Sequence, residues 1–528
     1  MKQNENLIYK IIIFLSFMCL NLLLLSNSSG LKISAVIIIL CLFVSSYISF
    51  FKYKHMLKNK KIVILAIFIS SYLCKFFIQY CWSNNIIFKI LKYFSINESF
   101  FSYLRYIIGI LSIPAITYVV LLCIEYIFPR IRLFYRKMTK LEKNFLLITL
   151  IISFLGSFII SNLTNIFYLD NIKVYDIIYT SDSGYLYNED VFMNINMAEN
   201  DLRQPLFGVF AIPFSFVAHF IGDNFILGSN GYAIMLITIQ YLCISISLIL
   251  ISRMMKLKGD KQKLFFLFSY SCFSRLLFGL VIEQYVFAMF YLILTIYVYV
   301  NDYEEINYAY IPAVGSLITT GIVFPVITKF KNFKYWIKNV FKCFIVFMSI
   351  AIITGRVYEI LMIRIKIIDL MRFSGKEILF SDKILQFINF ISSMFVAPSS
   401  HIVENNGFYS YHLIEVTKIN FIGVILLILS ILGFILNKKN KFSIMSLCWI
   451  LFSFIILCVV GWGTMENGLI LYSLYFDWAY ISLIYMFLLR LFKNKKILKW
   501  IIIFISLLLF CINIYQIIDI LYFGLIYY

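Results

Sequence analysis

Residues 145–167, FLLITLIISFLGSFIISNLTNIF, run without a single charge. As a helix rising 1.5 Å per residue, the stretch is long enough to cross a hydrocarbon core about 30 Å thick. Its flanks give it a direction. Lys140 and Lys143 precede it, whereas 168–204 carries Asp170, Asp176, Asp182, Glu189, Asp190, Glu199 and Asp201 against Lys173 and Arg203. Bases gather on the cytoplasmic side of membrane proteins, so the acidic segment is expected outside.

Similar runs recur along the 528 residues. The sequence predicts spans over 7–26, 31–51, 61–80, 103–128, 145–167, 231–252, 264–281, 284–300, 340–354, 415–436, 443–461, 469–489 and 499–520. The first is too long for the apolar part of a signal peptide and lacks a small-x-small cleavage site, so it reads as a span. The expected fold is all-α: a polytopic transmembrane helix bundle of about 13 spans, with interfacial helices in outer loops. Residues 1–143 form an N-terminal four-span module. Residues 144–528 form the core, with outer loops 168–230 and 355–414.

Composition agrees. The chain is 62% hydrophobic and 14% charged, with mean hydropathy +0.91. Soluble domains are roughly 45–50% apolar and about 25% charged. A soluble enzyme, a disordered tail protein and a nucleic-acid binder are excluded. The net charge of +20 belongs to membrane-flanking turns. Most of the 11 cysteines lie inside apolar runs with no CxxC pair, as small buried hydrophobes do. The Ile/Lys/Asn/Phe/Tyr bias is that of an AT-rich bacterial coding sequence.

Basic turns fix the orientation. They lie at 52–61, 130–143, Arg253 to Lys263, Lys438 to Lys441 and Arg490 to Lys499. With these in the cytoplasm the N-terminus is inside, in a bacterial cell membrane. Two apolar stretches then cannot cross. Residues 205–221 become an interfacial segment. Residues 309–327, broken by Pro312, Gly315, Gly321 and Pro325, become a half-depth hairpin covered by neighbouring helices.

The chemistry concentrates in Tyr179 to Phe207, YTSDSGYLYNEDVFMNINMAENDLRQPLF. The carboxylates of Asp182, Glu189 and Asp190 fall close together at a span end. Such groups take a proton from a hydroxyl or ligate a divalent cation, and the sequence leaves both roles open. Asp182 also suits a helix N-cap. Arg203 offers a planar fork for phosphate. Arg275, within an apolar run, calls for a partner such as Glu283 or a phosphate. Asp477 reads as a hydrogen-bond acceptor in the bundle interior. Arg356, Arg364 and Arg372 sit in the second outer loop, where bases break the charge rule; phosphate binding and a solvated amphipathic helix both account for them. Its part 384–396 is apolar enough to enter the interface. His401 and His412 read as surface residues of a loop.

A span, an outer loop opening on an acidic motif and a basic-Pro-Leu-aromatic element resemble the GT-C class of polytopic glycosyltransferases. Ser181-Asp182-Ser183 is similar to the family's acidic loop start, and Arg203-Gln204-Pro205-Leu206-Phe207 to its His/Lys-Pro-Pro-Leu element. Ile282-Glu283-Gln284-Tyr285 resembles a Pro-Glu-x-Tyr-like segment. The likeness covers roughly 145–500. The family's acidic pair is usually adjacent, whereas here the nearest adjacent pair is Glu189-Asp190. The resemblance implies sugar transfer from a polyprenyl-phosphate carrier to a cell-envelope acceptor outside. Asp182, Glu189 or Asp190 would be the base, and Arg203, Arg275, Glu283, Arg356, Arg364 and Arg372 would bind substrate. No P-loop, GxGxxG, HExxH or GxSxG is present, so nucleotide chemistry is unsupported. A surface-polysaccharide polymerase, a lipid or sugar transporter (flippase) and a non-catalytic envelope protein are the alternatives.

Overall fold

A computed structural model describes residues 64–66, 128–169, 177–188, 191–192, 203–226, 230–301, 306–323, 371–405, 407–465 and 467–528, with isolated positions between 337 and 368. The chain divides into two compact units. One comprises Met1–Thr139 with Met348–Val357, and the other Lys140–Phe347 with Tyr358–Tyr528. The sequence-predicted spans 7–26 and 31–51, and nearly all of 61–80 and 103–128, lie outside the described residues.

The second unit is helical. Its elements are α1 (Lys140–Leu163), α2 (Ser183–Asn188), α3 (Phe207–Phe225), α4 (Gly231–Met254), α5 (Asp260–Tyr270), α6 (Phe273–Leu280), α7 (Gln284–Val300) and α8 (Ile306–Ser316). Then come α9 (Phe380–Phe395), β1 (Ser400–Asn405), β2 (Phe408–Leu413), α10 (Phe421–Leu436), α11 (Lys441–Ser453), α12 (Ser473–Leu491) and α13 (Lys495–Tyr527). A π-helical segment, Phe454–Val460, continues α11.

Burial is inverted on the outer helices, and this marks a lipid-facing surface. In α1 the large side chains Leu147, Ile151, Leu155 and Ile159 are exposed, whereas Ser153, Ser157 and Ser161 are buried. The serines repeat every four residues and so form one stripe. Ser157 Oγ lies 3.1 Å from Thr238 Oγ1 of α4. In α10 the buried residues are Gly423, Ser430 and Gly433. A Cβ at Gly433 would strike the Leu483 carbonyl of α12. Without a hydrophobic drive between helices in lipid, small residues and hydrogen bonds supply the packing. By contrast α4 and α12 are buried nearly all round and form the centre.

Among the described residues six helices are long and apolar enough to cross a membrane, or seven if α5 and α6 count as one. That is fewer than the thirteen spans expected. The predicted span 264–281 is broken, because α5 and α6 meet at 65°. The all-α expectation also gains an exception in the antiparallel hairpin β1–β2.

Among the described residues of this unit, the basic turns collect at one end. Arg253, closing α4, grips Glu142 of α1 through two hydrogen bonds of 2.8 and 2.7 Å, and Gln262 of α5 joins them at 3.2 Å. Tyr485 of α12 donates to the Lys261 carbonyl. Lys441 lies over the Tyr299 ring that ends α7, and Arg490 reaches Asn437. At the far end, Asn230 Nδ2 donates to the Ser161 carbonyl at 2.6 Å, so α1 and α4 run antiparallel.

Candidate functional site

Helix α4 serves as a ruler between the two ends. Gln240 lies nine residues after Gly231, which is about 14 Å from the far end at 1.5 Å per residue. Its buried amide reaches the turn between α6 and α7. Gln240 Nε2 donates to the Val281 carbonyl at 2.9 Å, and the Glu283 backbone N–H donates to Gln240 Oε1 at 2.9 Å. A turn at this depth has no water to satisfy its backbone, and one glutamine supplies both a donor and an acceptor. The turn is therefore sunk within the bundle, not at an outer helix end as the sequence suggested for Glu283.

Glu283 is 0% exposed. Its Oε1 accepts the Asp182 backbone N–H at 3.1 Å. The acidic segment thus descends from the far end to meet the α6–α7 turn, and the Glu283 carboxylate holds the backbone of Asp182. Thr180 anchors the descent from the other side, donating to the Gly468 carbonyl at 3.4 Å.

Arg203 approaches from the start of α3. Its carbonyl accepts from Ile318 N at 2.7 Å, and Leu206 N donates to the Gly315 carbonyl at 2.8 Å. Gly315 belongs to α8, which packs antiparallel on α7 with Thr295 Oγ1 donating to the Ala309 carbonyl. The first turn of α3 is therefore level with the early turns of α7. The other end of α3 reaches the far end, where Gly222 backs directly onto Gly231. By length and composition α3 could span a membrane. Its contacts make it a helix climbing from mid-depth to the far end, so it does not lie flat across the interface.

The Arg203 guanidinium carbon is 5.8 Å from the Trp462 ring centroid. Trp462 Nε1 donates to the Tyr472 hydroxyl at 2.8 Å. Arg203 and Asp182 both act electrostatically on that hydroxyl. Tyr285 stacks edge-on against Tyr472, with centroids 5.3 Å apart. Asp182, Glu283 and Arg203 thus lie about one aromatic-lined region. Gln240, Trp462, Tyr285 and Tyr472 complete it. Gln240 had a legible signal as the only amide side chain within the apolar run of α4.

Arg275 belongs elsewhere. It is 1% exposed and binds Asp477 bidentately, at 2.9 Å from Nε and 3.1 Å from Nη2. Ser274 adds a third bond to the same carboxylate at 2.7 Å. The expected partner Glu283 is not its partner. Glu189, Asp190, Arg356 and Arg364 lie outside the described residues, and for Arg372 the structure describes only the backbone of the turn Met371–Ser374. Among the described residues no three His, Cys, Asp or Glu side chains gather as a metal site.

Beyond the site, the hairpin caps the far end. Tyr411 donates to Asp519 of α13, and Tyr179 backs onto β2 through its N–H to the Tyr411 carbonyl at 2.7 Å. Burial pushes both the Tyr179 and Tyr411 hydroxyls above their ordinary range. His401 and His412 are direct cross-strand partners in this hairpin and not loop residues.

No family model, curated protein or solved structure matches the chain.

Proposed function

We propose that the protein is a membrane glycosyltransferase that moves a sugar from a polyprenyl-phosphate carrier to an extracytoplasmic cell-envelope acceptor. The observation that carries this reading is the meeting of Asp182, Glu283 and Arg203 in the half of the bundle away from the basic turns. The positive-inside rule supports an outward-facing site. The expected thirteen spans and the bacterial cell membrane belong to this same reading.

In this mechanism the Asp182 carboxylate removes the proton from an acceptor hydroxyl. The freed oxygen attacks the anomeric carbon, and the carrier phosphate leaves with the bonding electron pair. Arg203 offsets the charge that develops on the leaving phosphate. Glu283 positions Asp182 through the backbone amide. Glu189 and Asp190 are alternatives for the base, and a divalent cation is an alternative aid to the leaving group.

The test is transfer from a radiolabelled polyprenyl-phosphate sugar in proteoliposomes. Asp182→Asn should slow turnover by roughly 10²- to 10⁴-fold, the usual share of a general base. Glu283→Gln keeps an acceptor for the Asp182 amide and should slow it less. Undiminished turnover in folded Asp182→Asn removes Asp182 from the mechanism.

A transporter of lipid-linked sugar is the second reading. The broken α5–α6 helix and the mid-depth Arg275–Asp477 pair favour it, since transporters build sites from interrupted helices near the midplane. A transporter would return the carrier unchanged on the opposite face of the vesicle, whereas a transferase releases polyprenyl phosphate.

A further inference from the structure

Lys383 lies in the first turn of α9 and is only 8% exposed. Lysine is almost never buried this far unless its charge is paired. Its Nζ donates to the Ser374 carbonyl at 3.3 Å, one bond for a group with three donors. Among the described residues no carboxylate lies within ion-pair distance of it. Buried Arg275 and partly buried Arg253 are treated differently, since each holds a carboxylate bidentately.

The surroundings add positive character. The start of a helix carries partial positive charge, and α9 has no side-chain cap there. A cation in the first turn meets partial charge of its own sign there, and the acid of that turn, Asp382, is exposed and makes no ion pair with Lys383. Gly461 makes the room for it. This glycine adopts φ +78°, and a Cβ there would collide with Lys383 Nζ and the Ser374 carbonyl. The next residue is Trp462, whose ring stands beside Arg203. One short turn thus has a buried lysine against its first residue and an arginine against its second.

Apolar surface adjoins the same helix start. Leu379, Phe380 and Ile384 are exposed around Lys383. A ligand seated here meets a cation and an apolar flank together.

We propose that Lys383 is the cation of a phosphate-binding subsite formed with the Gly461-Trp462 turn, and that its ligand is a phosphate carried on an apolar chain. The lysine charge is then completed by the ligand and not by the protein. The inference rests on the surroundings of Lys383 and does not require sugar transfer, because any phosphate-bearing amphiphile fits it.

The experiment measures binding to the purified full-length protein in neutral detergent, by microscale thermophoresis and thermal shift. The probes are farnesyl phosphate, inorganic phosphate and farnesol. Farnesyl phosphate should bind and raise the melting temperature, and farnesol should not. Lys383→Met should weaken farnesyl phosphate binding by roughly 10- to 100-fold, the usual weight of a hydrogen bond to a charged group. The ligand-free Met variant should melt no lower than the parent, since it removes an unpaired buried charge. Lys383→Arg should keep most of the binding. Should the Met variant fail to fold, the Arg variant and the parent still compare the two phosphates with farnesol. Inorganic phosphate binding as tightly as farnesyl phosphate overturns the lipid source and keeps the phosphate subsite. Equal affinity of parent and Met variant for farnesyl phosphate, or equal binding of farnesol and farnesyl phosphate, overturns the proposal. Because no transfer is measured, failure here leaves the transferase reading standing, and undiminished transfer in Asp182→Asn leaves this one standing.

Discussion

Two pairs of ionisable side chains meet inside the helical unit, and they are built oppositely. Arg275 and Asp477 carry opposite charges and close on each other, with Ser274 as a third partner. Asp182 and Glu283 carry the same charge and meet through a backbone amide. The first arrangement consumes its own charge. The second sets a buried carboxylate against the backbone of another acidic residue, and Arg203 and Asp182 both act on the Tyr472 hydroxyl. A protein interior tolerates the first for structure. The second is costly enough that a functional reading is the default for it.

The sharpest way to break this contrast is to unpair the closed pair. Arg275→Leu alone leaves Asp477 as a buried, uncompensated carboxylate, and Asp477→Leu leaves the guanidinium. Each should cost about 3–5 kcal/mol, the usual effect of removing one partner of a buried pair. The double variant Arg275→Leu/Asp477→Leu should recover most of that loss. Denaturant titration in detergent reads all three. If the double variant is as unstable as the sum of the singles, the pair is not a closed structural unit.

The next effect is smaller and falls on the other pair. Gln240→Leu removes the side chain that satisfies the Glu283 N–H and the Val281 carbonyl. A buried polar group left unsatisfied costs about 1–3 kcal/mol. The variant should lose stability in that range and also lose transfer, because the turn that carries Glu283 shifts. Gln240→Glu keeps one acceptor for the Glu283 N–H, yet adds a third carboxylate to the cluster. It should be worse for transfer than for folding, and this split separates a positioning role from a purely structural one.

How much of this was legible in the sequence follows from range. The lipid-crossing character of α1, α4, α11, α12 and α13 is written in contiguous apolar runs. The acidic cluster was legible because Asp182 and Arg203 stand in one charge-rich segment. The partner of Arg275 was not legible. Helical spacing pointed to Glu283, eight residues away, while the true partner lies 202 residues away on α12. Nor could a hydropathy run reveal that α5 and α6 bend apart and that Glu283 sits at mid-depth. That depth depends on Gln240, a residue on another helix. Lys383 looked like one base among many in 355–414, because burial is invisible to composition.

The smallest expected effect extends the comparison to the surface. His401 and His412 face each other across β1 and β2, another pair of like groups, but in contact with water. Burial, and then the neighbouring His401, holds the His412 imidazole below its ordinary value of 6.5. The folded hairpin therefore binds the proton less readily than the unfolded chain. The stabilisation is complete above 6.5, begins to fade as pH falls past that value, and is lost below the lowered folded value. Hydrogen exchange of the β1–β2 amides should accelerate on acidification through this window, beyond the intrinsic pH dependence. His401→Gln removes one of the two causes and should flatten the response only in part, because burial of His412 remains. A response abolished by His401→Gln would make the like-charge contact the dominant cause and reverse the order of the two. Either way the change should be modest, since solvent screens at the hairpin what the bundle interior does not screen around Asp182 and Glu283.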